Sequence, residues 1–277
     1  MITPPRLFGI PASGAPVVAV LRRGPSDWSH VGRWDVARAV YEPGAWIHAN
    51  LYPQRCDLSP DGRWLSYFTL KRPADWKPGG TYLAISRLPW LTALAAWGTC
   101  GTWTYGVHFV EDRAVWELGP PDAGGVAACR ARLGLAMTRP ATFAVERRRG
   151  WTETADTPPR DPADMWDERR AGDVRMEKMR PGSAGRTRLT VQGWYAAFRS
   201  SEPGGVRYEI VDGGVVSPIA DAQWADWAAD GRLLVATIDG RLQIRDGEAG
   251  RLAVGWEVDL AALAPGPAPP PDEARRW

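Results

Sequence analysis

Three histidines, three cysteines and a scatter of aspartates are the side chains through which this 277-residue chain could do chemistry. The one compact group is His108-Phe109-Val110-Glu111-Asp112. Residues three apart on a strand face opposite sides, so His108 and Glu111 do not converge on one metal ion. His30 and His48 lie far from it in sequence, and no metal site is expected. Cys56, Cys100 and Cys129 form neither a CxxC knuckle nor an even-numbered disulfide framework, so they read as reduced, buried thiols. No Gly-x-Ser-x-Gly elbow is present, and Gly101, Gly106 and the Gly-Gly pairs belong to hairpins rather than to a phosphate-binding strand-to-helix junction. No catalytic residue and no cofactor are assigned. Asp35, Asp57 and Asp226 keep one enzymatic alternative open, carboxylates from different sheets meeting across a channel to cleave a glycan. The competing reading is that each aspartate bonds to nearby backbone N–H groups at a strand edge.

Binding chemistry has more material. Sixteen tryptophans run from Trp28 to Trp277. Trp28, Trp34 and Trp46 fall beside Tyr41, His30 and His48, while Trp97 and Trp103 sit among Gly98, Gly101 and Gly106. Exposed rings beside glycine loops make peptide or carbohydrate contact surfaces, whereas buried rings pack sheets together. Arg147-Arg148-Arg149 could meet an acidic partner, although acids follow closely along the chain.

A repeated phrase supplies the frame for these residues. Asp57-Leu58-Ser59-Pro60-Asp61-Gly62-Arg63-Trp64-Leu65 returns as Asp226-Trp227-Ala228-Ala229-Asp230-Gly231-Arg232-Leu233-Leu234. An Asp-Gly pair tolerates the positive φ of a tight turn, so strand formers on either side predict a hairpin. Trp64 and Leu233 then start equivalent strands, with Asp57, Asp61, Gly62, Asp226, Asp230 and Gly231 as the structural repeat. The same pattern of strand, glycine turn and strand predicts strands at 64–70 and 81–86, at 113–118 and 126–130, at 194–199 and 206–211, and at 233–238 and 241–245. Further strands are expected at 17–21, 36–41, 103–110 and 142–147. The spacing allows five or six units of ~40–50 residues.

Ser59-Pro60-Asp61-Gly62-Arg63-Trp64-Leu65-Ser66-Tyr67 resembles the blade signature of bacterial WD-like and Tol-type β-propellers. The second copy carries Ala228-Ala229 where the first has Ser59-Pro60. This resemblance implies an all-β chain forming a single β-propeller of four-stranded antiparallel sheets, with five blades, or six as the alternative. The expected organisation is a propeller over 1–264, an irregular insertion at about 147–186, and a Pro-rich disordered tail over 265–277. The function that follows is a non-catalytic module binding a protein or peptide through blade-top loops. Its candidate contacts are Trp28, Trp34, Trp46, Trp97, Trp103, Arg147, Arg148 and Arg149. A glycan hydrolase or lyase, and a lectin-like sugar binder, are the alternatives.

Bulk composition fits this reading. The 34 Lys and Arg nearly balance 32 Asp and Glu, which argues against a nucleic-acid binder. No basic segment with an apolar core opens the chain, and no apolar run reaches the ~18 residues of a membrane span. A cytoplasmic monomer, without membrane contact, is expected.

Overall fold

Short apolar runs joined by glycine turns close into antiparallel meanders, and in this computed structural model they do so in consecutive stretches of chain. The structure describes residues 4–24, 27–70, 80–99, 101, 106–116, 126–138, 143–154, 173–194, 206–248 and 251–277. Trp103 and Cys100 lie outside the described residues.

The first sheet is β1 (Arg6–Pro11), β2 (Val17–Arg23), β3 (Trp28–Asp35) and β4 (Val40–His48), in that order. The second holds β5 (Asn50–Leu51), β6 (Asp57–Leu58), β7 (Trp64–Leu70), β8 (Thr81–Arg87) and β9 (Ala93–Gly98), with β5 and β6 both paired to β7. In the third, β10 (Val107–Val110) and β11 (Arg113–Trp116) are antiparallel, and β12 (Ala136–Met137) adds in parallel after a helix, α1 (Val126–Leu133). Helix α2 (Ala144–Arg148) leads to the fourth: β13 (Thr152–Glu153), β14 (Asp173–Met179), β15 (Thr187–Trp194), β16 (Val206–Asp212) and β17 (Val215–Pro218). The fifth is β18 (Ala222–Trp227), β19 (Leu233–Thr237), β20 (Arg241–Asp246) and β21 (Ala253–Asp259).

The chain forms two compact units, residues 9–141 with 263–277 and residues 1–8 with 142–262; the division falls within β1. In the first unit Trp64, Phe68, Leu83, Ile85, Trp97, Phe109 and Trp116 form the core, and α1 lays Cys129 and Leu133 against it. In the other, Met176, Leu189, Val191, Tyr208 and Ile210 pack on Ala225, Trp227, Leu233 and Val235. Strands β7 and β19 are buried along nearly their whole length, as befits runs packed on both faces. The buried hydroxyls on β7 are matched: Ser66 Oγ donates to Val107 O, and Thr69 Oγ1 to Asn50 O at 3.0 Å.

Outer strands are blunted by one-residue bulges. Relative to its neighbour, β4 carries an extra residue opposite 30–32, β9 one between Ala93 and Ala95, and β21 one at Gly255. A bulge turns an exposed edge away from further strand addition. The β4 bulge also docks: Ala45 N donates to Pro89 O at 3.1 Å, and a Cβ on Gly44 would lie 2.1 Å from that oxygen.

Several expected strands are corrected. Residues 126–130 are helical because Ala127, Ala128, Arg130 and Ala131 are strong helix formers and Cys129 and Leu133, four apart, share the buried side. Of the strand expected at 142–147, residues 144–147 lie in α2, entered through Phe143 at φ 54°, and 142 lies outside the described residues. Residues 36–39 are a turn, where Ala39 has φ 54° and Asp35 Oδ1 accepts Arg38 N. The strand paired with 206–212 is β15, 187–194; of the strand expected at 194–199, residues 195–199 lie outside the described residues. Within the expected insertion at 147–186, β13 and β14 are regular sheet and Trp151 is buried, while 155–172 lie outside the described residues. The tail is held rather than free. It ends in a 3₁₀ turn over Asp272–Arg275, with Ala274 fully buried and Trp277 5.4 Å from the ring of Trp64.

Candidate functional site

The two copies of the repeated phrase build the same turn in two different sheets. In the first, Gly62 N donates to Ser59 O (2.8 Å) and Asp61 Oδ1 accepts Arg63 N (3.0 Å). In the second, Gly231 N donates to Ala228 O (3.0 Å) and Asp230 Oδ1 accepts Arg232 N (3.1 Å). Each arginine folds back onto its aspartate through Nε. The change from Ser59 to Ala228 has a structural cost. Ser59 Oγ accepts Trp64 N, and Ser59 N reaches Trp64 O; Ala228 has no hydroxyl, and its N–H bonds one position earlier, to Arg232 O. The strand register therefore differs by one, Leu58 facing Leu65 but Trp227 facing Leu233.

These residues hold the frame. Asp57 is buried and accepts Leu58 N at 2.9 Å and, from the neighbouring sheet, Phe109 N at 2.8 Å. Asp226 is buried and accepts Trp227 N and Lys178 Nζ. Asp35 caps its own turn and lies 3.7 Å from Arg33. Trp64 is buried with Arg87 over its ring at 4.9 Å. Among the described residues, no group of three His, Cys, Asp or Glu is placed to hold a metal ion.

The binding candidates divide sharply. Trp97 is fully buried in the core beside Trp116, and Trp34 is fully buried on β3. Arg147 pairs with Glu153 at 2.7 Å at the end of α2, with Arg148 exposed and Arg149 half-buried beside it. Trp28 and Trp46 are different: they stand half-exposed on one face of the first sheet.

That face is built by strand register. Trp28, His30, Gly32 and Trp34 alternate onto one side of β3. Across them, Arg22, His30 and Trp46 form one row and Trp28 with His48 the next. Trp28 and His48 stack with centroids 4.9 Å apart, and His30 lies 4.7 Å from Trp46. The Arg22 guanidinium sits 5.0 Å over the Trp46 ring, a cation–π contact. Arg22 is itself buried and donates to Gly24 O and, at 2.9 Å, to Leu263 O. Tyr41 lies across Gly32, where a Cβ would fall 2.0 Å from the Tyr41 oxygen. Only glycine fits there.

Charge on this face is set by burial. Desolvation, then the nearby Arg22 charge, lowers the His30 pKa to about 4, against a smaller upward pull from a Gly44 backbone hydrogen bond. His30 is therefore neutral at pH 7. Burial also raises the Tyr41 phenol and lowers the Arg22 guanidinium from their ordinary values. Arg22 was not among the sequence candidates. Its one signal is a charged residue ending the apolar run Val17 to Leu21, which also reads as an ordinary strand terminus.

No protein-family profile matches the chain, and no curated protein matches it. Among solved structures, the 1.18 Å crystal structure of the uncharacterised protein lmo1340 from Listeria monocytogenes EGD-e is similar at 10% identity and a TM-score of 0.25. That alignment covers 90% of this chain and 53% of the other.

Proposed function

We propose that this chain is a cytoplasmic, non-catalytic five-bladed β-propeller of the WD-like kind, and that it binds a protein or peptide segment on the aromatic face of its first sheet. Five consecutive sheets, four of them antiparallel throughout, and two copies of one turn in different sheets support the propeller. So does Gln223 on β18, whose side chain clips the backbone that enters β1: Leu7 N donates to its Oε1 at 3.0 Å, and its Nε2 donates to Pro5 O. Free, buried Cys56 and Cys129 suit a reducing compartment. No helix among the described residues is long and apolar enough to cross a membrane.

The observation that carries the binding role is the half-exposed pair Trp28 and Trp46, each ring fixed by a partner beneath or beside it. Prefixed rings lose little freedom on binding. Below them Arg22 donates to the chain's own carbonyls and Tyr41 lies against His30, so ring faces are what the surface mainly offers. Ring faces fit proline, aromatic or aliphatic side chains of a peptide.

Phage-displayed peptides selected on the purified chain test this reading. Selected peptides should lose at least tenfold affinity when Trp28 and Trp46 are both changed to alanine, with circular dichroism unchanged. Equal binding to that variant would exclude the aromatic face. A glycan-array ligand lost on the same substitutions would move the assignment to sugar binding.

A further inference from the structure

A second aromatic surface lies in the unit formed by 9–141 and 263–277, and the structure shows what kind of segment it takes. Trp64 begins β7 with Arg87 at 4.9 Å and Arg63 at 5.8 Å from its ring. Onto this ring the chain lays its own residues 272–277. Trp277 tilts 52° over Trp64 at 5.4 Å, and Ala274, three positions earlier, is fully buried. Ala274 lies inside the 3₁₀ turn, which ends at Arg275; Arg276 is extended and carries Trp277 onto the Trp64 ring.

The way this segment is held differs from the rest of the fold. The backbone bonds of the turn, Ala274 N to Pro271 O and Arg276 N to Glu273 O, are internal to the segment, and among the described residues no strand ladder joins it to the sheet. Upstream it is anchored by the Arg22 bond to Leu263 O. Between anchor and seat run residues 264–271, five of them proline. A seat made by two side chains at the end of a proline tether is a bound ligand joined to its receptor.

We infer that the surface around Trp64, Arg63 and Arg87 is a recognition site for a peptide bearing Ala-x-x-Trp, a 3₁₀ turn followed by an extended residue, occupied in cis by residues 274–277. The site is separate from the Trp28–Trp46 face and does not depend on it. A short tether gives the cis segment an effective concentration on the order of millimolar, so a partner in trans must exceed that to displace it. Ala274 is fully buried, so the alanine position sets the specificity.

A fluorescein-labelled peptide of residues 269–277 and the full-length Trp277→Ala chain test this. The peptide should bind the variant saturably in fluorescence anisotropy and bind the wild-type chain at least tenfold more weakly. Replacing the peptide's alanine by leucine, or adding Trp64→Ala to the chain, should each cost at least tenfold. Val215→Ala, at an exposed position on β17, should leave peptide binding unchanged. Absence of saturable binding to Trp277→Ala, or equal binding to both chains, would overturn the inference. Because Trp277→Ala could weaken folding, a second measurement uses the wild-type chain carrying 5-fluorotryptophan. Millimolar peptide should shift the Trp277 resonance in ¹⁹F NMR, and a resonance that does not move overturns the site equally.

Discussion

Lys178 Nζ lies 2.6 Å from Asp226 Oδ1, with side chains 14% and 3% exposed, so a charged pair inside one unit ties β14 to β18. Asp57, the counterpart of Asp226, also reaches a neighbouring sheet, but it takes a backbone N–H there rather than a cation. Equivalent positions in the repeat thus bridge sheets by different chemistry.

Asp226→Asn should accordingly be much the worse of the two Asn substitutions. Removing the carboxylate leaves Lys178 without its counter-charge in a mostly buried position, at about 3–5 kcal/mol. Asp57→Asn keeps a side-chain oxygen to accept one N–H and should cost about 1–2 kcal/mol. Urea unfolding followed by tryptophan fluorescence measures both. Equal costs would show that the ion pair contributes nothing beyond a hydrogen bond.

The two turn glycines should resist alanine. Gly62 and Gly231 have φ of 72° and 83°, and an added Cβ would meet Val17 Cβ and Pro181 O, each at 2.9 Å. Left-handed backbone costs an L-residue roughly 1–2 kcal/mol, and the contacts add to it. Gly231→Ala should lose more, because Pro181 O is backbone and Val17 Cβ is part of a side chain that can shift. Thermal melts of the two variants give the comparison.

Acid should weaken the fold through His30. Its pKa is about 4 when folded and 6.5 in an ordinary setting, so between these values the unfolded chain binds the extra proton. Stability from this group is therefore complete above about pH 6.5, falls as the pH drops towards 4, and falls no further below that. The full loss is on the order of 3 kcal/mol. His30→Gln should flatten the urea midpoint between pH 6.5 and 4.5 relative to wild type; an unchanged slope would place the acid sensitivity elsewhere.

Two thiols should be silent in the native state. Burial pushes Cys56 up to about 12 and Cys129 up to about 11, and thiolate is the reactive form. Peptide mapping after brief iodoacetamide treatment at pH 8 should find both unmodified, and both alkylated once urea is added. Native labelling of Cys56 would mean that the β6–β7 region opens readily.

How far the sequence could be read depended on whether local signals agreed. At Asp61-Gly62 and Asp230-Gly231 the turn chemistry, the flanking apolar runs and the repeat all pointed one way, and the hairpins stand where expected. At 126–130 the glycine turn before the segment suggested a strand, while the alanines, a stronger local preference, made a helix. The aromatic cluster of Trp28, Trp46, His30 and His48 was legible because its members are close in sequence. Arg22 was not, since its place over Trp46 depends on the register of three strands and no spacing along the chain encodes that. Trp34 and Trp97 carried the same local signature as Trp28 and Trp46, yet burial separates them, and burial is set by which sheet covers which face.

Synthesis imposes an order on the unit that contains Trp64. Its strands are translated before residues 142–262, whereas Ala274 and Trp277 are made only after that stretch. While that stretch emerges, the nascent chain holds the Trp64 ring without its own occupant. A freely diffusing segment with the right turn, or a chaperone that reads exposed tryptophan, meets a binding surface that the finished chain covers. The proline tether then returns the covering residues over a short reach, so the surface closes only once residues 272–277 have been made.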